Sequence, residues 1–319
     1  MIILKPKVLV FGGGTGLSTL LTGLKEYPLD LTAVITVSDN GRSTGKLREE
    51  FHIPAVGDIR KVITSLSRSS DSIKQMMEYR FHTSSDLDGH AVGNLVLTSL
   101  LEITGSLKDS IKALCELFNV EHTVLPISED SKLTLMAEIV DGTIVEGEES
   151  VTSSGKIKRV FYNEEPKVVD EVLDTIKDAD LIIFSMGSLY TSVLPNIICK
   201  EVSDALDKAK AKIMYICNAM TQPGETDQFT VSDHVKLLNQ YLNKRTVDVV
   251  VASNSKIDKK IAKKYETEEQ KDPVEIDREE LKKIGVKLIE ADLLRIKDNT
   301  IRHNGIKLGS IVVSYLLGE

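Results

Sequence analysis

Short apolar runs rich in β-branched residues alternate along the chain with stretches whose apolar positions recur every three or four residues. The runs predict strands at Val8–Phe11, Leu31–Val37, Leu181–Phe184, Ile213–Cys217, Val247–Val251 and Val286–Glu290. The helical spacing predicts helices at Leu17–Glu26, Asp58–Ser67, Gly93–Leu101, Ser106–Leu117, Leu194–Ala209 and Ser232–Leu242, with a closing helix at Ile306–Leu317. Strands alternating with amphipathic helices specify an α/β fold built on a mostly parallel sheet. One region breaks the alternation. Leu133–Val140 and Thr143–Val145 flank Asp141-Gly142, which predicts a hairpin with a type I′ turn, and Ile157–Tyr162 predicts a further strand. Residues 129–162 are therefore expected to form a small β insertion, not an independent domain. It interrupts one larger unit made of residues 1–128 and 163–319. Lys256–Lys283 is strongly charged and is expected to be a surface excursion.

Composition narrows the class. Of 319 residues 41% are hydrophobic, enough for a large core, but only 5% are aromatic and there is no Trp. The core must rest on Ile, Val, Leu and Ala, which suits strands buried on both faces. A net charge of −8 argues against general nucleic-acid binding and against docking on anionic membranes. Cys115, Cys199 and Cys217 show neither metal-ligand spacing nor a CxxC pair, as expected of reduced thiols in a reducing compartment. Lys5-Pro6-Lys7 leads straight into the first strand, without the pattern of a signal peptide, and no run approaches the roughly 20 apolar residues of a membrane span. A cytoplasmic protein is expected.

Candidate chemistry lies in the loops. Gly12-Gly13-Gly14-Thr15-Gly16 follows the first strand and opens a helix. Free backbone N–H groups at a helix start attract anions, and glycine lets a phosphate come close. The dinucleotide fingerprint is not met, since Leu17 stands at its last glycine, and no Gly-Lys-Ser/Thr completes a Walker A loop. A nucleotide-type ligand is expected without a named cofactor. The second strand runs into Asp39-Asn40-Gly41-Arg42-Ser43-Thr44-Gly45. Asp39 there suits a ribose hydroxyl or a divalent ion, and it equally suits a turn or an N-cap. Asp58 suits an N-cap or a functional role, while Arg60 in a first helical turn calls for a nearby anion. Gly89-His90-Ala91-Val92-Gly93-Asn94 opens an apolar helix; His90 is either structural or functional, and Asn94 either lines a site or caps the helix. Ser185–Ser192, with Gly187 and Ser188, and Asn218–Thr226 follow two further strands. Polar loops at the carboxyl ends of one sheet converge on one crevice.

Taken in order, Gly12–Leu24, Asp39–Arg48, Gly57–Arg60, Gly89–Asn94, Gly187–Pro195 and Asn218–Thr226 resemble the gluconeogenesis factor family. They are also similar to the related 2-phospho-L-lactate transferases of deazaflavin cofactor synthesis. The resemblance implies a three-layer Rossmann-like sandwich in a cytoplasmic bacterial protein needed for growth and cell shape on gluconeogenic carbon sources. It implies binding of a UDP-sugar of the UDP-N-acetylglucosamine type, with no required cofactor. By position it places Gly13, Gly14, Thr15 and Gly16 in the phosphate loop and Asp39 in the site. His90 and Asn94 would line it, and Gly187, Ser188 and Tyr190 would close the other side. Arg42 and Asn218 belong to the matched loops and are candidate ligand contacts. Tyr265 would stack on a base and Arg302 would clamp a diphosphate, although residue chemistry alone makes both ordinary surface residues.

The chain departs from the family's usual Asp-Asp-Gly-Gly-Ser-Ser-Gly at Asp39–Gly45, losing one carboxylate and gaining Arg42. That makes the loop less suited to a divalent cation. Two functions follow: a non-catalytic regulator that senses a UDP-sugar and signals to a protein partner in cell-envelope regulation, or a phospholactyl transferase in which Asp39 positions magnesium and His90 acts as acid or base. Association with further copies of the chain is expected.

Overall fold

The computed structural model describes residues 5–297 and 299–318. Its strands, in chain order, are β1 (Lys7–Gly12), β2 (Asp30–Ile35), β3 (Thr123–Pro126), β4 (Leu135–Ile139), β5 (Ile144–Glu146), β6 (Ile157–Tyr162), β7 (Leu181–Phe184), β8 (Lys212–Ile216), β9 (Val249–Ser253), β10 (Lys287–Ala291), β11 (Leu294–Lys297) and β12 (Thr300–His303). Seven of them form one sheet in the order β10-β9-β8-β7-β1-β2-β3, with every pairing parallel. All four residues of β7 and five of six in β1 are buried, which is why these strands read as unbroken apolar runs. The fold is an α/β doubly wound sheet, as the alternation predicts.

Strand order reverses between β1 and β7. From β1 the chain builds outward through β2 and β3; from β7 it builds the other way through β8, β9 and β10. The loops leaving β1 and β7 must part there, which opens a crevice at the carboxyl edge.

Several elements differ from the expected ones. Edge strand β3 is only Thr123–Pro126, too short to stand out against its neighbours. Hairpin β11–β12 alternates apolar residues with Arg295, Lys297 and Arg302 and shows no apolar run. A helix (α2) occupies Arg42–Phe51 where a polar loop was expected, and Asp71–Glu78 adds another. The expected helix at Leu194–Ala209 is broken: a wide turn at Leu189–Val193 and a short helix at Leu194–Ile197 precede a separate helix at Lys200–Lys208.

The insertion is a three-stranded antiparallel sheet in the order β5-β4-β6. Its turn is not type I′. Gly142 alone takes positive φ, its N–H donates to the Ile139 carbonyl, and Ile139 N–H donates to the Thr143 carbonyl. That is a three-residue loop with glycine at the left-handed position, and the Asp141 carboxylate accepts from Thr143 N–H. A helix at Glu148–Ser153, not expected from the sequence, fills the space before β6.

Candidate functional site

The β1 turn enters helix α1 (Gly14–Leu24) within two residues. Gly14 has φ +60, a conformation that costs a side-chain-bearing residue steric energy. Gly16 packs against the next loop so tightly that a Cβ there would lie 2.3 Å from the Met186 carbonyl oxygen. The turns after β1 and β7 thus touch backbone to backbone. Ser188 caps the Leu189–Val193 turn by accepting from Thr191 N–H at 3.1 Å, and its own hydroxyl donates to the Glu225 carboxylate. Asn218 ties the β8 loop to the β7 loop: its amide donates to the Gly187 carbonyl at 3.0 Å and its oxygen accepts from the Tyr215 hydroxyl.

A cavity of about 470 Å³ opens over these loops. Its floor is Gly13, Gly14, Thr15 and Gly16; one wall is Gly187, Ser188 and Asn218, and the far end is Tyr265, Lys271 and Arg302. The charged excursion reaches it because Thr221 and Asp272 exchange hydrogen bonds of 2.8 Å and Val274 N–H donates to the Ala219 carbonyl. Residues near Tyr265 are thereby folded back over the β8 loop. Tyr265 is buried, not a surface residue, and its hydroxyl accepts from Ile301 N–H at 2.8 Å. Arg302 is exposed, and among the described residues it has no carboxylate partner. His303 beside it is held neutral, its pKa brought down to about 4 by burial.

Asp39 adjoins the floor but is not part of the cavity lining. Its carboxylate accepts from Gly41 N–H at 2.8 Å and from the Thr44 hydroxyl, and lies close against Gly57. Helix α3 (Gly57–Leu66) brings Asp58 and Lys61 alongside as an ion pair of 2.9 Å, so Asp58 serves neither as N-cap nor alone. The third carboxylate is Glu148, from the insertion, and it does line the cavity. Asn40 accepts from Glu149 N–H, and Arg48 donates to the carbonyls of Asp39, Ser131 and Leu133, which clips the insertion onto the Asp39 loop. Burial, then the nearby charges of Asp39 and Asp58, push the Glu148 carboxyl well above the usual carboxylate range. Asp39 is raised by burial and by Asp58. Among the described residues no group of three His, Cys, Asp or Glu side chains is placed to share an ion, and Lys61 already offsets Asp58.

The remaining candidates lie elsewhere. His90 and Asn94, at the start of the Val92–Thr104 helix, are buried against α2: Asn94 donates to Ser43 Oγ at 3.0 Å, leaving that hydroxyl to donate to His90 Nδ1 at 3.2 Å. Burial and Lys46 hold His90 below the ordinary histidine range, and neither residue lines the cleft. The N-cap position of that helix is Ala91. Tyr190 is buried behind the wall, and Arg42 is exposed at the first residue of α2. The anion that accounts for Arg60 is Glu78, which pairs with its buried guanidinium. Glu148, Thr191, Glu225 and Lys271 are among the cleft residues that sequence reasoning did not single out. Glu148 gave no signal, because its neighbours are ordinary surface residues of a small insertion. Glu225 sat within the Asn218–Thr226 loop and was visible only as part of it.

The family model for 2-phospho-L-lactate transferase CofD matches residues 8–294. This chain belongs to the CofD family. Among its CofD-family relatives, the gluconeogenesis factor of Bacillus subtilis (strain 168) is 43% identical over 316 residues, covering 98% of each chain. The gluconeogenesis factor of Halalkalibacterium halodurans is 41% identical, covering 97% of this chain and 96% of its own. A crystal structure of a Bacillus halodurans protein superposes with a TM-score of 0.94 at 41% identity, covering 97% of this chain and all of that one.

Proposed function

We propose that this CofD-family chain is a nucleotide-sugar-binding regulator that supports growth and cell shape on gluconeogenic carbon sources. A UDP-sugar of the UDP-N-acetylglucosamine type is its ligand. The observation that carries the reading is one cleft of about 470 Å³ that joins the amide-rich Gly13–Gly16 turn to Tyr265 and Arg302. Pockets for small ligands commonly hold about 300–1,000 Å³. The turn suits a diphosphate, the exposed guanidinium a second contact with it, and the Tyr265 ring the face of a base. The relatives named gluconeogenesis factor support the physiological half of the reading.

A thermal-shift panel of UDP-sugars, NAD, GTP and a deazaflavin tests it, since a ligand that binds only the native state raises the midpoint. A selective UDP-sugar shift without turnover is expected, and the reading falls if only another ligand shifts the midpoint. The activity for which the family is described favours a second reading, a phospholactyl transferase. Consumption of a nucleotide substrate in magnesium would favour it.

A further inference from the structure

The loop after β8 is closed more tightly than a connection requires. Glu225 and Thr226 N–H both donate to the Gln222 carbonyl, Gln222 N–H donates to Thr226 Oγ1, and Gly224 N–H donates to Asp227. The result is a fixed Glu225 side chain in the cleft wall, with the residue only 5% exposed. One carboxylate oxygen takes the Ser188 hydroxyl hydrogen; the Tyr190 backbone N–H lies near the group, yet Oε1 makes no hydrogen bond of ordinary geometry. No lysine or arginine pairs with Glu225 among the described residues, although the cleft wall around it is polar. A buried carboxylate with an uncommitted oxygen and no cation is costly to keep. It is retained most simply where a ligand supplies the missing donor.

We infer that Glu225 reads a hydroxyl of the ligand: its carboxylate accepts a hydrogen bond from a sugar hydroxyl seated beside Ser188, and so selects for the sugar portion of the bound nucleotide. The inference rests on the UDP-sugar reading above. The chemistry favours a hydroxyl over a phosphate, since a phosphate oxygen would meet the carboxylate as a like charge. Ser188 gives its hydrogen to Glu225 and accepts from Thr191 N–H, so it holds the carboxylate in position. The Gly187–Ser188 turn lies against the Gly13–Gly16 floor, so the hydroxyl that is read neighbours the diphosphate. It belongs either to the ribose or to the glycosyl group.

Calorimetric Kd values for the full chain separate these sources. The ligands are UDP-N-acetylglucosamine, its 2′-deoxyribose analogue and UDP, each titrated into the native protein, Glu225→Gln and Glu225→Ala. In the native protein, loss of the hydroxyl that is read weakens binding roughly ten- to a hundredfold, as expected for a hydrogen bond to a charged group. If the 2′-deoxy analogue is the weak one, the ribose is read; if UDP is, and Glu225→Ala narrows that gap, the glycosyl group is read. Glu225→Ala binds the parent ligand weakly and no longer distinguishes it from the analogue. Glu225→Gln, which keeps an acceptor for Ser188, falls between. Equal discrimination in the native protein and in Glu225→Ala would overturn the inference while leaving UDP-sugar binding intact. Failure of the native protein to bind any UDP-sugar would remove the reading on which it rests.

Discussion

Two glycine-bearing turns open two helices in this protein, and they end in different places. Gly12–Gly16 follows central strand β1 at the point where strand order reverses, and its amides line the cleft. Gly89–Asn94 follows no sheet strand, and its two polar side chains are spent on Ser43 inside the protein. Both stretches look suited to a ligand when read as residues. What separates them is what precedes each one: only a turn that leaves a sheet strand at the carboxyl edge, beside the switch point, is held open by the divergence of its neighbours. The His90 turn instead braces α2, and through it the Asp39 loop.

The sharpest way to break the comparison is Gly16→Val. The added carbons meet the Met186 carbonyl, and backbone contact between the two loops cannot be relieved by a rotamer change. A loss of about 3 kcal/mol in chemical denaturation is expected, with no UDP-sugar binding left. Arg302→Ala should weaken UDP-sugar binding roughly tenfold or more by calorimetry, because a charged contact is lost. Its thermal midpoint should stay near that of the native protein. His90→Ala should do the reverse, costing about 1–2 kcal/mol through the orphaned Ser43–Asn94 pair and shifting Kd less than threefold. If His90→Ala instead abolishes binding at unchanged stability, the two turns are functionally alike.

The smallest effect expected is that of Glu148→Gln on pH dependence. Glu148 holds its proton more tightly folded than unfolded, so the unfolded chain releases it first as pH rises above the ordinary value of 4.5. Stability associated with this group is present below that value and is lost as pH rises toward its folded pKa. Denaturation curves of Glu148→Gln should therefore fall less between pH 5 and pH 8 than those of the native protein, with the variant the more stable at the upper end. A parallel decline in both would show that Glu148 stays ionised in the cleft.

Much of the sheet was legible in the chain because strands buried on both faces leave a run of apolar residues, and β1, β7, β8 and β9 carry such runs. The edge strand β3 and hairpin β11–β12 were not, since short pieces with exposed residues resemble the loops around them. Helix α2 was hidden for a related reason. Its one apolar core residue between the ends is Leu47, and its buried face is otherwise Ser43, Thr44 and Gly45. The turns after β1 and β7 could be found from residue type and position alone, because helix starts and glycine have fixed consequences for backbone amides.

What local sequence determined by itself is therefore the alternation of strands and helices and the glycine-rich helix start after the first strand. Both depend on interactions between residues a few positions apart. Tertiary structure alone decided that Tyr265 is buried over the cleft, that Glu148 arrives there from the insertion, and that His90 does not. Each of those outcomes depends on contacts between segments far apart in the chain, such as Thr221 with Asp272 and Asn40 with Glu149, whose partners no local pattern specifies.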